Sequence, residues 1–145
     1  MTLEVKYFHE KAQLPERAHA YDAGADLRCV SIQEQDNTLI YHTGIGISIP
    51  KGYVGLLFPR SSVSKQDLYL TNCVGVLDSG YTGEILFKYK RTQLGLNKQY
   101  EVGDKIGQLV VMPIVLPEFA LVEELELSER GAGGFGSTGV WVPLE

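Results

Sequence analysis

An all-β fold, a distorted jelly-roll sandwich or barrel, is what this 145-residue chain predicts. Gly and Pro punctuation recurs roughly every 8 to 12 residues, the rhythm of short strands joined by turns. Between these breaks apolar side chains alternate with polar ones, and no segment of helical length shows a helical period. Glycine fills five of the nine positions from Gly131 to Gly139, so the chain closes on a strip that cannot build a core and should stay mobile until a ligand orders it. The expected organisation is one jelly-roll domain over residues 1–128 and a flexible C-terminal arm over residues 129–145. A chain of this length buries roughly two thirds of its unfolded surface without a disulfide or structural metal.

Taken in order, Leu3, Val5 and Tyr7 alternate with Thr2, Glu4 and Lys6, as in a half-buried strand. A polar stretch through Pro15 and Arg17 ends it, and small residues then surround Asp22 and Asp26 before a strand-like run at residues 28–32. A turn at residues 35–37 leads into Leu39-Ile40-Tyr41. The alternation of Gly44-Ile45-Gly46-Ile47 and the run Tyr53-Val54-Gly55-Leu56-Leu57-Phe58 predict two strands joined by Lys51-Gly52. After Pro59, residues 61–67 predict one or two helical turns with a serine N-cap, the only helix expected. Residues 72–84 read as a β-hairpin with Asp78 starting its turn and Tyr81 restarting the sheet. Ile85, Phe87 and Tyr89 then share one face of a strand, residues 105–115 form a long apolar strand, and residues 119–127 alternate as one more.

A net charge of −5 and a pI near 5.2 disfavour a nucleic-acid binder, which normally carries a basic face. Cys29 and Cys73 have no metal-site spacing to each other or to His9, His19 and His42, so they read as reduced, packed thiols. No stretch is apolar for long enough to cross a membrane and none at the amino terminus resembles a signal peptide, which predicts a cytoplasmic protein, in the host cytoplasm for a viral source.

Three segments could carry chemistry. Asp78 ends a β-like run ahead of a Gly-containing turn, where catalytic carboxylates often sit, although Asp and Gly are equally default turn residues. Gly131-Ala132-Gly133-Gly134-Phe135-Gly136 matches a dinucleotide fingerprint formally, but no following helix or second βαβ unit accompanies it. The strip suits a nucleotide in another way: backbone N–H groups, Ser137 and Thr138 for phosphates, Arg130 for charge and Phe135 for stacking, worth about 1–3 kcal/mol per base. A disordered terminus is the plain alternative. Pro59-Arg60-Ser61-Ser62 offers a cation and two hydroxyls for phosphate, or simply a helix cap beside a surface arginine. Gln108, inside an apolar run, must face a partner or solvent.

Five segments in order resemble the homotrimeric dUTP pyrophosphatase (dUTPase) family over nearly the whole chain. They are Ala23-Gly24-Ala25-Asp26-Leu27, Pro59-Arg60-Ser61-Ser62, the run from Gly75 through Asp78 and Tyr81 to Glu84, Gly103-Asp104-Lys105-Ile106-Gly107-Gln108-Leu109, and the strip from Arg130 to Thr138. The resemblance implies a jelly-roll homotrimer whose active sites are shared between subunits, with the fifth segment arriving on the mobile arm. It implies hydrolysis of dUTP to dUMP and pyrophosphate, with Mg²⁺ held through the triphosphate and water, no direct protein ligand, and Asp26 as an outer contact. Asp78 would activate the attacking water. Arg60, Ser61 and Ser62 would contact phosphates, Gln108 the α/β region, and Arg130, Gly136, Ser137 and Thr138 would close over the γ-phosphate. Tyr81 would lie under the deoxyribose and exclude a 2′-hydroxyl. Asn72 and the backbone at Gly75 and Val76 would read the uracil edge, in a tight hairpin too narrow for a 5-methyl group, and Phe135 would stack on the base.

Some positions depart from the family's commonest pattern: Gly80 replaces a second acid, Thr82 a longer polar residue, Ser62 a glycine and Gly107 an alanine. The chain continues past the fifth segment with residues 140–145, either a docking extension for the arm or, at its final Leu-Glu, a cloning remnant. The nearest rival is a dCTP deaminase of the same fold, but its catalytic glutamate position holds Lys88. A nucleotide-controlled binding protein, with the arm as a switch for a regulatory protein partner, is compatible with the same residues.

Overall fold

The computed structural model describes residues 1–93, 95–136 and 139; residues 140–145, the extension named above, lie outside them. Two four-stranded antiparallel sheets face each other. One has the order β2 (Ala25–Arg28), β10 (Lys105–Pro113), β6 (Tyr53–Phe58), β8 (Gly75–Leu77). The other has the order β3 (Ser31–Gln35), β4 (Thr38–His42), β9 (Leu86–Arg91), β7 (Leu68–Leu70). A two-stranded ribbon of β1 (Val5–Tyr7) and β5 (Ile45–Ile47) accompanies them. The result is the predicted all-β jelly-roll sandwich.

Local chemistry explains the junctions. Asp36 and Asn37, with φ of 49° and 63°, make the two-residue turn between β3 and β4, and these are the non-glycine residues that best tolerate such angles. Between the sheets Tyr41, Phe87, Tyr89, Leu27 and Ile106 are almost wholly inaccessible. Tyr41, Tyr89 and Tyr100 meet edge to face with ring centroids 5.6–6.2 Å apart, an arrangement worth about 0.5–1.5 kcal/mol per pair beyond burial. Their hydroxyls are satisfied: Tyr41 donates to the Tyr100 carbonyl at 3.0 Å and Tyr89 to the Ile106 carbonyl at 2.6 Å. Burial raises the phenols of Tyr41 and Tyr89 well above the ordinary tyrosine range.

Several expectations are corrected. Residues 72–84 are not a β-hairpin. β8 pairs with β6, and β9 pairs with β4 and β7, so this stretch crosses from one sheet to the other. The strand expected at residues 119–127 is absent, because no neighbouring edge accepts its backbone: Phe119, Leu121 and Leu127 stand fully in solvent. Residues Ser61–Lys65 form a 3-10 turn whose N-cap position is Arg60, not a serine, with no side-chain cap. Of the two cysteines only Cys29 is packed. Burial pushes its thiol up to about 11, whereas Cys73 is exposed, with φ of 61°. No helix among the described residues is long and apolar enough to cross a membrane.

Gly107 sits in β10 against the buried Phe87, and a Cβ there would overlap the Phe87 ring. Gly107→Ala should therefore lower stability in urea by about 1–3 kcal/mol. Phe87→Leu combined with it should recover part of the loss, giving a coupling above about 0.5 kcal/mol in a double-mutant cycle. Strictly additive costs would show that the ring is not the obstacle.

Candidate active site

The end of the sheet where β6 runs out carries one half of the predicted site. In β10, Gln108 stands opposite both Phe58 of β6 and Asp26 of β2, so three of the five segments converge there. Gly24, Asp26, Arg60, Ser61 and Gln108 line a hollow of about 380 Å³. Asp26 is only 9% exposed. Its Oδ1 accepts a hydrogen bond from Arg60 Nε at 2.7 Å, and its Oδ2 lies 3.1 Å from Lys105 Nζ. A buried carboxylate is tolerable only with such partners. Because Arg60 is held through Nε, its two terminal nitrogens, unbonded among the described residues, remain for an anion. Gln108 Nε2 donates to the Pro59 carbonyl at 2.9 Å, which fixes the amide, and its oxygen occupies the space a Cβ on Gly24 would need.

Ser61 is exposed and open to a ligand. Ser62 is half-buried, with Oγ 3.0 Å from the Tyr100 hydroxyl. Burial raises the Tyr100 phenol above its ordinary range, so the phenol keeps its proton at neutral pH and the link to Ser62 persists. The phosphate-side turn is thereby fastened to the aromatic core.

The second half lies on β8 and the crossover that follows it. Asn72, Gly75, Val76, Leu77, Tyr81 and Lys88 contribute to a hollow of about 290 Å³. Asp78 follows directly on Leu77, is exposed, and closes a turn in which Tyr81 N–H donates to its carbonyl at 3.0 Å. The Tyr81 hydroxyl donates to the Glu84 carbonyl at 2.6 Å. Glu84 is anchored in turn: Oε1 accepts from Gly44 N–H at 2.8 Å and Oε2 from His42 Nδ1 at 3.0 Å.

Within one chain these halves do not meet. Leu57 pairs with Gly75 and Gly55 with Leu77, so Asp78 lies level with Val54 near the start of β6 and Arg60 lies beyond its end. Six strand steps separate their levels, on the order of 20 Å. Among the described residues, the arm lines neither hollow: Arg130 Nε donates to the Gly133 carbonyl at 2.7 Å, while Phe135 and Gly136 are exposed. Ser137 and Thr138 lie outside the described residues. Among the described residues, no group of three or more His, Cys, Asp or Glu could hold a metal ion. Sequence reasoning missed Lys105, Tyr100, His42 and Glu84 as supports of the site. Lys105 and Glu84 lie inside the quoted segments, but only strand register reveals what they touch.

Comparison with known proteins places this geometry. The family model described as dUTPase matches residues 10–139. A curated relative from Cutibacterium acnes, deoxyuridine 5'-triphosphate nucleotidohydrolase, is 40% identical over 131 residues, covering 88% of this chain and 86% of its own. The structure of the Staphylococcus bacteriophage 80alpha dUTPase with dUpNHpp superposes with a TM-score of 0.82 at 36% identity, covering 96% of this chain and 99% of that one. A mutant dUTPase from phage phi11 of S. aureus, whose structure details the coordination of a structural Mg(II) ion, gives a TM-score of 0.73 at 32% identity over 88% of this chain and 100% of that one.

The contact between Gly24 and the Gln108 amide yields a separable prediction. In Gly24→Ala the flexible end of Gln108 must swing away from the Pro59 carbonyl, at a folding cost below about 1.5 kcal/mol. Calorimetric affinity for inorganic triphosphate should nonetheless fall by about tenfold, since a fixed donor is lost. Unchanged affinity would remove Gln108 from the anion site.

Proposed function

The chain belongs to the dUTPase family, and from that premise and the geometry of its two half-sites we infer that it hydrolyses dUTP to dUMP and pyrophosphate. The observation that carries the reading is the split itself. A hollow holding Arg60, Ser61 and Gln108 suits a triphosphate, and a hollow holding Asn72, Gly75, Val76 and Tyr81 suits a nucleoside. One chain holds them too far apart for one nucleotide. Copies arranged in a closed ring would bring the anion hollow of one against the nucleoside hollow of the next. The family norm of a homotrimer fits this requirement. So do the alternation at residues 119–127 and the outer edge of β1, both unpaired among the described residues.

In this reading Asp78 accepts a proton from a water whose oxygen attacks the α-phosphorus. The bond from that phosphorus to the α,β-bridging oxygen breaks, and its electron pair leaves with pyrophosphate. Arg60, Ser61 and Gln108 hold the phosphates in line, and Ser62 steadies the turn that presents them. Arg130, Phe135, Gly136, Ser137 and Thr138 would arrive on the arm, residues 129–145, to cover the γ-phosphate and the base. Mg²⁺, bound with the triphosphate, supplies charge neutralisation on the leaving group. Such a cation would be held by phosphate oxygens and water, and Asp26, whose two oxygens are on Arg60 and Lys105, would have to release one of them to serve as an outer contact.

Asn72 and the backbone at Gly75 and Val76 would read the uracil edge. A cytosine would leave those polar groups unpaired, which discriminates by several orders of magnitude. A methyl group in an accommodating pocket would change affinity by only about 1–3 kcal/mol, so exclusion of thymine must be steric. The deaminase reading is not favoured, because Lys88, at the position its acid would need, is an exposed cation. We place the reaction in the cytoplasm. A regulatory role beside catalysis is favoured by one observation, the similarity to the phage 80alpha enzyme, a structure described under phage dUTPase control of virulence gene transfer by a G protein-like mechanism.

Product analysis tests the reading. Asp78→Asn should bind dUTP yet lose turnover by about 10³-fold or more. Arg60→Ala should be comparably weak. A mixture of the two, unfolded and refolded together, should recover about a quarter of wild-type activity, the random expectation for a site built from two chains. No recovery, with assembly intact, would confine the site to one chain. Ammonia released from dCTP would overturn the reaction.

A further inference from the structure

The crossover from Asp78 to β9 is fastened from beneath at more points than a surface turn needs. Glu84 spends both carboxylate oxygens on the junction between β4 and β5, one on Gly44 N–H and one on His42 Nδ1, and it is half-buried there. Next to it, Ile85 N–H donates to the Ile45 carbonyl at 2.8 Å, and Thr43 Oγ1 donates to the Ile85 carbonyl at 2.7 Å. Gly46 backs the crossover without a side chain: a Cβ there would come within 2.8 Å of the Gly83 carbonyl oxygen.

These anchors converge on one aromatic ring. Tyr81 is tied at its backbone to Asp78 and at its hydroxyl to the Glu84 carbonyl. Between the two ties the ring lies over Gly83, where an added Cβ would meet the Tyr81 hydroxyl oxygen at 2.7 Å and the ring at 2.8 Å. Tyr81 as a residue is 44% exposed and borders the nucleoside hollow, while its ring packs against Gly83 of the anchored strap. Steric exclusion of a small group is only as strong as the stiffness of the wall that excludes it. A ring that could tilt by a fraction of an ångström would admit one hydroxyl.

We propose that Glu84, fixed by His42 and the Gly44 backbone, is a positioning residue that holds Tyr81 rigid and so sets the preference for a deoxyribose over a ribose. The inference rests on the reading above in which Tyr81 lies under the sugar. Glu84 borders the nucleoside hollow, but both of its carboxylate oxygens are engaged by His42 and Gly44. It acts through the phenol that its carbonyl accepts and through the strap its carboxylate pins.

The test measures kcat and KM for dUTP and UTP in the wild-type enzyme and in Tyr81→Ala, Glu84→Ala, Glu84→Gln and His42→Ala. Glu84→Ala should lower the dUTP-over-UTP ratio of kcat/KM by about tenfold or more, mainly through KM for dUTP and improved use of UTP. Glu84→Gln keeps an oxygen for Gly44 N–H and should hold the ratio within about threefold of wild type. A merely structural loss would depress both substrates together and leave the ratio unmoved. If Tyr81→Ala retains the ratio, the sugar-floor reading fails and the inference with it. If Tyr81→Ala loses the ratio while folded Glu84→Ala keeps it, the inference alone is overturned. Should Glu84→Ala not fold, His42→Ala decides: an expected fall of about threefold supports the proposal, and an unchanged ratio overturns it.

Discussion

The register of β6 is the constraint on which the rest of this structure depends. Its backbone is paired on both sides, over six successive residues with β10 and three with β8. A slip of one residue would turn Leu57 out of the core and press Val54 or Leu56 into the place of Gly55, where even a Cβ would meet Ile49, Leu77 and Leu109 at 3.1–3.2 Å, so the pairing is fixed by packing. Once it is fixed, Gln108 must lie beside Phe58 and Asp26, and Asp78 must lie at the other end of the same strand. The anion hollow and the nucleoside hollow are therefore consequences of one alignment. So is their separation, which makes a second copy of the chain a chemical requirement of the proposed reaction.

Electrostatics at the anion hollow follow from a carboxylate that at first looks misplaced. An acidic protein that binds a polyanion needs local cations, yet Asp26 puts a negative charge at their centre. Arg60 and Lys105 together outweigh Asp26 itself, while Glu16 stands 3.9 Å from Lys105 and Asp22 also lines the hollow, and the two ion pairs restrain both long side chains before any ligand arrives. The entropy of ordering a rotamer-rich side chain, about 0.5–1.5 kcal/mol, is thus met in folding and not in binding. Buried pairs of this kind add little to stability against an apolar replacement. Their value here lies in orientation: Arg60 is presented with its terminal nitrogens outward because its Nε is engaged.

Much of this was legible in the sequence, and the gaps have a common cause. An apolar run after a Lys-Gly turn located β6 and period-2 alternation located β9, and Gln108 stood out as a polar group in an apolar run, which the structure places at the meeting of three strands. The five segments named the family. Alternation says that a strand has two faces; it does not say which edge pairs with which. For that reason residues 72–84 looked like a hairpin although they cross between sheets, and the three-residue β7 went unnoticed. The same blindness hid Glu84, whose side chain holds His42 and Gly44 some 40 positions away while its carbonyl holds Tyr81 three positions back. Cys73 was assigned to the interior by residue type, but its left-handed backbone puts it on a turn.

Residues 119–127 show how far pattern alone can carry a fold. Phe119, Leu121, Leu125 and Leu127 alternate as well as any strand in the chain, yet their exposure runs from 84% to 102%. A strand is stabilised by a neighbour that accepts its backbone hydrogen bonds and covers its apolar face, and alternation is only the side-chain half of that requirement. The chain also leaves a mostly apolar hollow of about 510 Å³ between β1 and the core-facing side of β10, where Leu3, Val5, Tyr53 and Val111 pack against the rim of the core but stay partly open to water. A lone copy would thus hold both an unpartnered apolar segment and an uncovered apolar face in water, each unfavourable at roughly 25 cal/mol per Å². Assembly of the proposed kind would cover both. The hydrophobic need for further copies and the catalytic need for them, read from different residues, then have one solution.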